Sequence, residues 1–113
     1  MSDFTQSLID IRKDFERKRS EFSDSWISTR RLIYQAFAEA SQALDNPKIE
    51  HDNGASSTLR WRGGSISFKA DDRRLKIVRE RQGEPEEAYD PSALTQEKIE
   101  SEVRSFVIAV LGG

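Results

Sequence analysis

Apolar side chains recur along the first part of the chain at Phe4, Leu8, Ile11, Phe15, Phe22, Trp26, Ile33, Phe37, Ala40 and Leu44. With Lys18 and Thr29 in the gaps, the steps are three and four residues throughout. Their mean is about 3.6, the period of a straight α-helix rather than of a supercoil. No Pro or Gly interrupts the pattern before Pro47, so the spacing predicts a helical region over residues 3–45. Unbroken, that helix would run about 60 Å at 1.5 Å per residue, against a radius of gyration of about 13 Å for a compact domain of this size. It must therefore overhang or break. A break or bend is expected between Ser20 and Ser25, where Ser23, Asp24 and Ser25 can each cap a second helix, and the stripe between Arg12 and Glu21 holds only Phe15. Asp45-Asn46-Pro47 stops the helix, and His51-Asp52-Asn53-Gly54-Ala55-Ser56 reads as a loop.

The period then changes from 3.6 to two. Leu59-Arg60-Trp61-Arg62 and Ser65-Ile66-Ser67-Phe68-Lys69 alternate apolar and polar about Gly63-Gly64, a favoured two-residue hairpin loop. Folding about that loop opposes Trp61 to Ile66 and Leu59 to Phe68. Asp71-Asp72, or Asp71 to Arg74, makes the next turn, and Arg74 to Glu80 a third strand that adds Leu75 and Ile77 to the same face. A loop at Gln82-Gly83-Glu84-Pro85 leads to a short fourth strand, Glu86 to Asp90. The final helix is expected over 95–111, with Thr95 as N-cap, Glu97 in the first turn and Leu94 packing on Ile99 across the cap. Ile99, Val103, Phe106, Val107 and Val110 share one of its faces. The chain thus reads as one α+β domain over 1–113. Its parts are a long N-terminal helix (continuous or broken), a three- to four-stranded antiparallel meander over 57–90 and a C-terminal helix, the helices packed on one sheet face.

Composition narrows the chemistry. Of 113 residues, 35% are hydrophobic and 34% charged, so the core is modest and the domain marginal alone, which keeps dimerisation open. The absence of Cys removes disulfides, thiol nucleophiles and Cys-ligated zinc. The N-terminus lacks the basic-then-apolar pattern of a signal peptide. The longest dense apolar stretch, Phe106 to Leu111, is far shorter than the roughly 20 residues needed to cross a bilayer. A cytoplasmic protein is expected, with no membrane partner. His51, the single histidine, has no metal-ligating neighbours in sequence, and no Gly-x-Ser-x-Gly stretch marks a nucleophile elbow. Asp71-Asp72 reads as a turn, and Gly63-Gly64 lacks the helix and Lys-Ser or Lys-Thr of a phosphate loop. Gly112-Gly113 reads as helix termination, since the Gly-Gly tails of ubiquitin-like modifiers follow a strand. Neither an enzyme, a cofactor nor a metal is expected.

Two surfaces remain. The net charge of −2 conceals +5 over residues 59–81 and −5 over residues 82–113. The alternation places Arg60, Arg62, Lys69, Arg74 and Lys76 on the outer sheet face, with Ser65 and Ser67 between them and Val78 and Tyr89 adding apolar contact. Such a face can follow a phosphate backbone, although Trp61 and Phe68 point inward and offer no stacking platform. The same charge can instead complement the acidic final segment, within one chain or across a dimer. The second surface is the stripe Phe4, Leu8, Ile11 and Phe15, longer than one small sheet can cover. The expected function is a non-enzymatic protein-interaction module, a homodimer or an adaptor for another protein. The alternative is weak nucleic-acid binding through the basic outer face.

Overall fold

In the computed structural model, which describes residues 2–112, the first helix forms as one piece: α1, Asp3–Ala43, is 41 residues long. Ser2 caps it, its hydroxyl accepting from the Thr5 amide at 3.1 Å, and Asp3 lies in the first turn, where a carboxylate suits the helix dipole. The break expected at Ser20–Ser25 is absent. Phe22 and Trp26 straddle Ser23-Asp24-Ser25 one turn apart and are both buried. Their packing holds that turn helical, while the three short polar side chains point to solvent and cap nothing.

A five-stranded antiparallel meander follows, its strands adjacent in chain order: β1 Lys48–Asp52, β2 Ser56–Trp61, β3 Gly64–Asp71, β4 Lys76–Arg81 and β5 Glu87–Tyr89. That is one strand more than expected, because Lys48–Asp52 pairs with β2. The loop there is only the Asn53-Gly54-Ala55 turn, in which Asn53 and Gly54 both take positive φ. The β2–β3 loop is Arg62-Gly63 rather than Gly63-Gly64. Both residues have positive φ, 48° and 82°, as a type I′ turn requires. Trp61 therefore opposes Gly64, Leu59 opposes Ile66 and Ser57 opposes Phe68. The pairing is shifted by two residues from expectation, which leaves the paired strand residues on their expected faces while Arg62 moves into the turn.

The β3–β4 turn, by contrast, is one residue later than the four-residue loop expected from Asp71 to Arg74. Asp71 pairs with Lys76, and Leu75 lies in the turn at φ 56° instead of on the strand. A 3-10 turn at Pro91–Ala93 leads to α2, Gln96–Gly112. Thr95 caps it as expected, accepting from the Lys98 amide at 3.2 Å. Gly112 is still helical, and a stop at Gly113 lies outside the described residues.

The core lies between one sheet face and the two helices. Leu59, Trp61, Ile66, Phe68 and Ile77 from the sheet meet Phe22, Trp26, Ile33 and Phe37 of α1 and Ile99, Val103 and Phe106 of α2. Two indoles fix α1 on the sheet. Trp26 Nε1 donates to the Gly54 carbonyl at 2.7 Å, beside Arg30 Nη1 at 3.1 Å. Trp61 Nε1 donates to the Asp45 carbonyl at 3.0 Å.

Candidate interaction surface

Phe22 is the first buried residue of α1. Everything before it, residues 3–21 or about 28 Å of helix at 1.5 Å per residue, projects beyond the domain. The molecule measures 63 × 24 × 23 Å with a radius of gyration of 17.3 Å, well above the compact value of about 13 Å. Along this free half Phe4, Leu8, Ile11 and Phe15 are 72%, 50%, 63% and 43% exposed. The structure therefore brings these four residues together as one uncovered apolar stripe on one helix face.

The free half is built to stay helical without a surface beneath it. It continues a helix already nucleated in the core, so each added residue incurs no nucleation cost. Its polar sides pair among themselves: Arg12 with Glu16 at 3.7 Å, Asp14 with Arg17 at 2.7 Å and with Lys18 at 3.1 Å, and Arg17 with Glu21 at 3.1 Å. Hydrogen bonds from Arg17 and then Lys18 hold the Asp14 carboxyl below its ordinary value. At the base, Arg19 reaches Asp72 of the β3–β4 turn at 3.5 Å.

The five cations expected on the outer sheet face are spread more widely and are all engaged. Arg60, Lys69 and Lys76 lie on that face, whereas Arg62 and Arg74 lie in turns. Arg60 stands 3.5 Å from Glu50, Arg62 3.2 Å from Asp45, Lys69 2.5 Å from Glu80 and Lys76 2.5 Å from Asp90. Arg74 bridges Asp71 at 2.7 Å and Glu86 at 3.3 Å. Val78 does lie on this face, yet it is fully buried, with Lys69, Lys76 and Glu80 as its neighbours there. Tyr89 is on the inner face opposite Ile77, not on the outer one.

A polar cluster that the sequence pattern did not reveal lies under α2. Arg79, on the inner face and 5% exposed, sets its Nε 2.6 Å from Glu102 Oε2, a contact of charges rather than an aligned hydrogen bond. Its Nη2 donates to Glu87 at 3.0 Å, and Tyr89 donates its hydroxyl proton to Glu102 Oε1 at 3.0 Å. Arg81 pairs with Glu84. Arg74, Lys76, Arg79 and Arg81 of the basic middle thus pair with Glu84, Glu86, Glu87, Asp90 and Glu102 of the acidic final segment within the fold.

Neither sheet edge offers an open template. β1 carries Lys48, Glu50 and Asp52 around a single Ile49, and β5 is three residues long between Pro85 and Pro91; charge and proline are ordinary means of blunting an edge. Among the described residues no group of His, Asp and Glu could hold a metal ion, and no helix is long and apolar enough to cross a membrane. His51 donates to or accepts from the buried Ser57 hydroxyl at 2.9 Å and packs on Tyr34, which gives it a structural setting. No protein-family model, curated protein or solved structure matches this chain.

Proposed function

We propose that the chain is a non-enzymatic protein-interaction module whose docking surface is the free half of α1. The observation that carries this reading is the uncovered stripe of Phe4, Leu8, Ile11 and Phe15 on a helix held rigid by the core behind it. Burying a side chain of this kind is worth roughly 1.5–3 kcal/mol over leaving it in water. Four together supply a drive comparable with the 4–15 kcal/mol that association costs in lost freedom. The partner is a second copy or another protein presenting an apolar face. A cytoplasmic setting fits a chain without cysteine. The basic outer face supports nucleic-acid binding less well, because each cation lies beside a carboxylate that offsets its charge and repels a phosphate.

The test is Leu8→Asp combined with Ile11→Asp. Sedimentation, with pull-down for a different partner, should show association in the parent chain and its loss in the variant. Association that survives the double substitution, or a parent chain that neither self-associates nor retains any partner, overturns the reading.

A further inference from the structure

We infer that the occupant of the stripe is the free half of α1 from a second copy, lying antiparallel, with Phe4 against Phe15 and Leu8 against Ile11 of the other chain. This rests on the reading of the stripe as a docking surface and adds the partner, the direction and the register.

Direction follows from where the domain sits. At about 100° per residue, Phe4, Leu8, Ile11 and Phe15 lie on the same side of α1 as Phe22, Trp26 and Ile33, which pack on the sheet. The stripe therefore opens into a notch whose end wall is the domain itself, marked by the Arg19–Asp72 contact. A parallel second helix laid in that notch would run into the sheet at Phe22, and its own domain would collide with the first helix. Charge alone would accept the parallel pair, since it brings Asp14 to Arg19 of the second copy; the position of the domain excludes it. An antiparallel helix enters the notch N-terminus first and carries its domain beyond the far end of the first helix. Two-fold symmetry then closes the pair with no surface left to polymerise.

Register follows from the edges of the stripe. Thr5, Arg12 and Arg19 run along one edge, and Ser7, Asp14 and Glu21 along the other. In an antiparallel pair like edges meet. With Phe4 against Phe15, Arg12 faces Thr5 of the second copy and Asp14 faces Ser7, so each charge meets a hydroxyl. Slid by one heptad, Arg12 would face Arg12 and Asp14 would face Asp14, like charges that disfavour the pairing. The slid register would also draw Lys18 into the apolar seam opposite Leu8. The proposed register buries all four apolar side chains and sets Asp3 of the second copy opposite Glu16, short of the domain wall at Arg19.

The chain's lack of cysteine makes the register directly readable by disulfide cross-linking. Phe4→Cys and Phe15→Cys chains, mixed and mildly oxidised, should cross-link at least about tenfold faster than either chain alone. In the proposed register identical positions lie eleven residues apart along the seam, about 16 Å, beyond the reach of a disulfide. Cross-linking by each variant alone, with no disulfide joining a Phe4→Cys chain to a Phe15→Cys chain in the mixture, means a parallel pair. It overturns this inference and leaves the docking surface standing. Sedimentation of the unmodified chain should show a dimer that Leu8→Asp with Ile11→Asp weakens by more than about a hundredfold. A monomer that binds a different protein through the stripe overturns the inference alone; a dimer indifferent to those substitutions overturns both.

Discussion

Arg79 shows why some side chains cannot be placed from local pattern. The alternation of β4 puts it on the inner face after Ile77 and before Arg81, where an apolar residue is the usual occupant. What makes the cation tolerable is Glu102, which arrives from α2 and is itself nearly buried. No local spacing announces a partner 23 residues away. Removing one member strands the other, so Arg79→Ala or Glu102→Ala should cost about 3–5 kcal/mol in denaturant unfolding, while replacing both with well-packed apolar residues should recover most of it. Tyr89 adds a pH dependence. Burial first, and then its bond to Glu102, pushes its pKa up. A raised value favours the folded state as long as the unfolded phenol keeps its proton. This contribution is therefore complete below the ordinary tyrosine value of about 10 and is lost as pH rises toward the folded-state value. Unfolding free energy measured against pH should fall on that alkaline side, and Tyr89→Phe should flatten the slope.

At the scale of elements, face assignment was more legible than register. Two adjacent glycines invite a loop centred on both, but they answer different demands. Gly63 supplies positive φ in the turn, whereas Gly64 is a strand residue over which α2 passes closely. A Cβ there would stand 2.8 Å from Val110 Cγ2 and 3.1 Å from Phe106 Cε1. Gly64→Ala should therefore destabilise by about 1–3 kcal/mol through overpacking, seen as a lower urea midpoint. Sequence pattern missed β1 because Lys48-Ile49-Glu50-His51-Asp52 carries one aliphatic residue, as an edge strand with one face on solvent can. The signal that would have found it is Asn53-Gly54, a favoured pair for a type I′ turn. The C-terminal helix was legible in its Thr95 cap and its apolar face on the core, but not in the buried Glu102. The expected break in α1 was not realised, because Phe22 and Trp26 anchor the very turn whose Ser and Asp residues favour a cap.

At the scale of the molecule, charge and apolar surface have separate destinations. Much of the opposite charge of the +5 and −5 segments meets in internal pairs such as Arg74–Glu86, Lys76–Asp90 and Arg79–Glu102. The surplus of apolar side chains is exported along the free half of α1. Stability and docking are accordingly separable. Leu8→Asp with Ile11→Asp should leave the unfolding temperature of an isolated chain nearly unchanged, because both side chains are already in water. Length and composition pointed to the surplus stripe, and only the assembled domain reveals which way it faces.

Because α1 passes from solvent into the core without a joint, the azimuth of its exposed side chains is locked to the sheet behind them. One residue inserted between Phe15 and Phe22 would rotate the outer side chains by about 100° around the axis while leaving the packed half as it is. The seven-residue interval between those two phenylalanines is thus a rotational key, silent for folding and strict for the proposed docking.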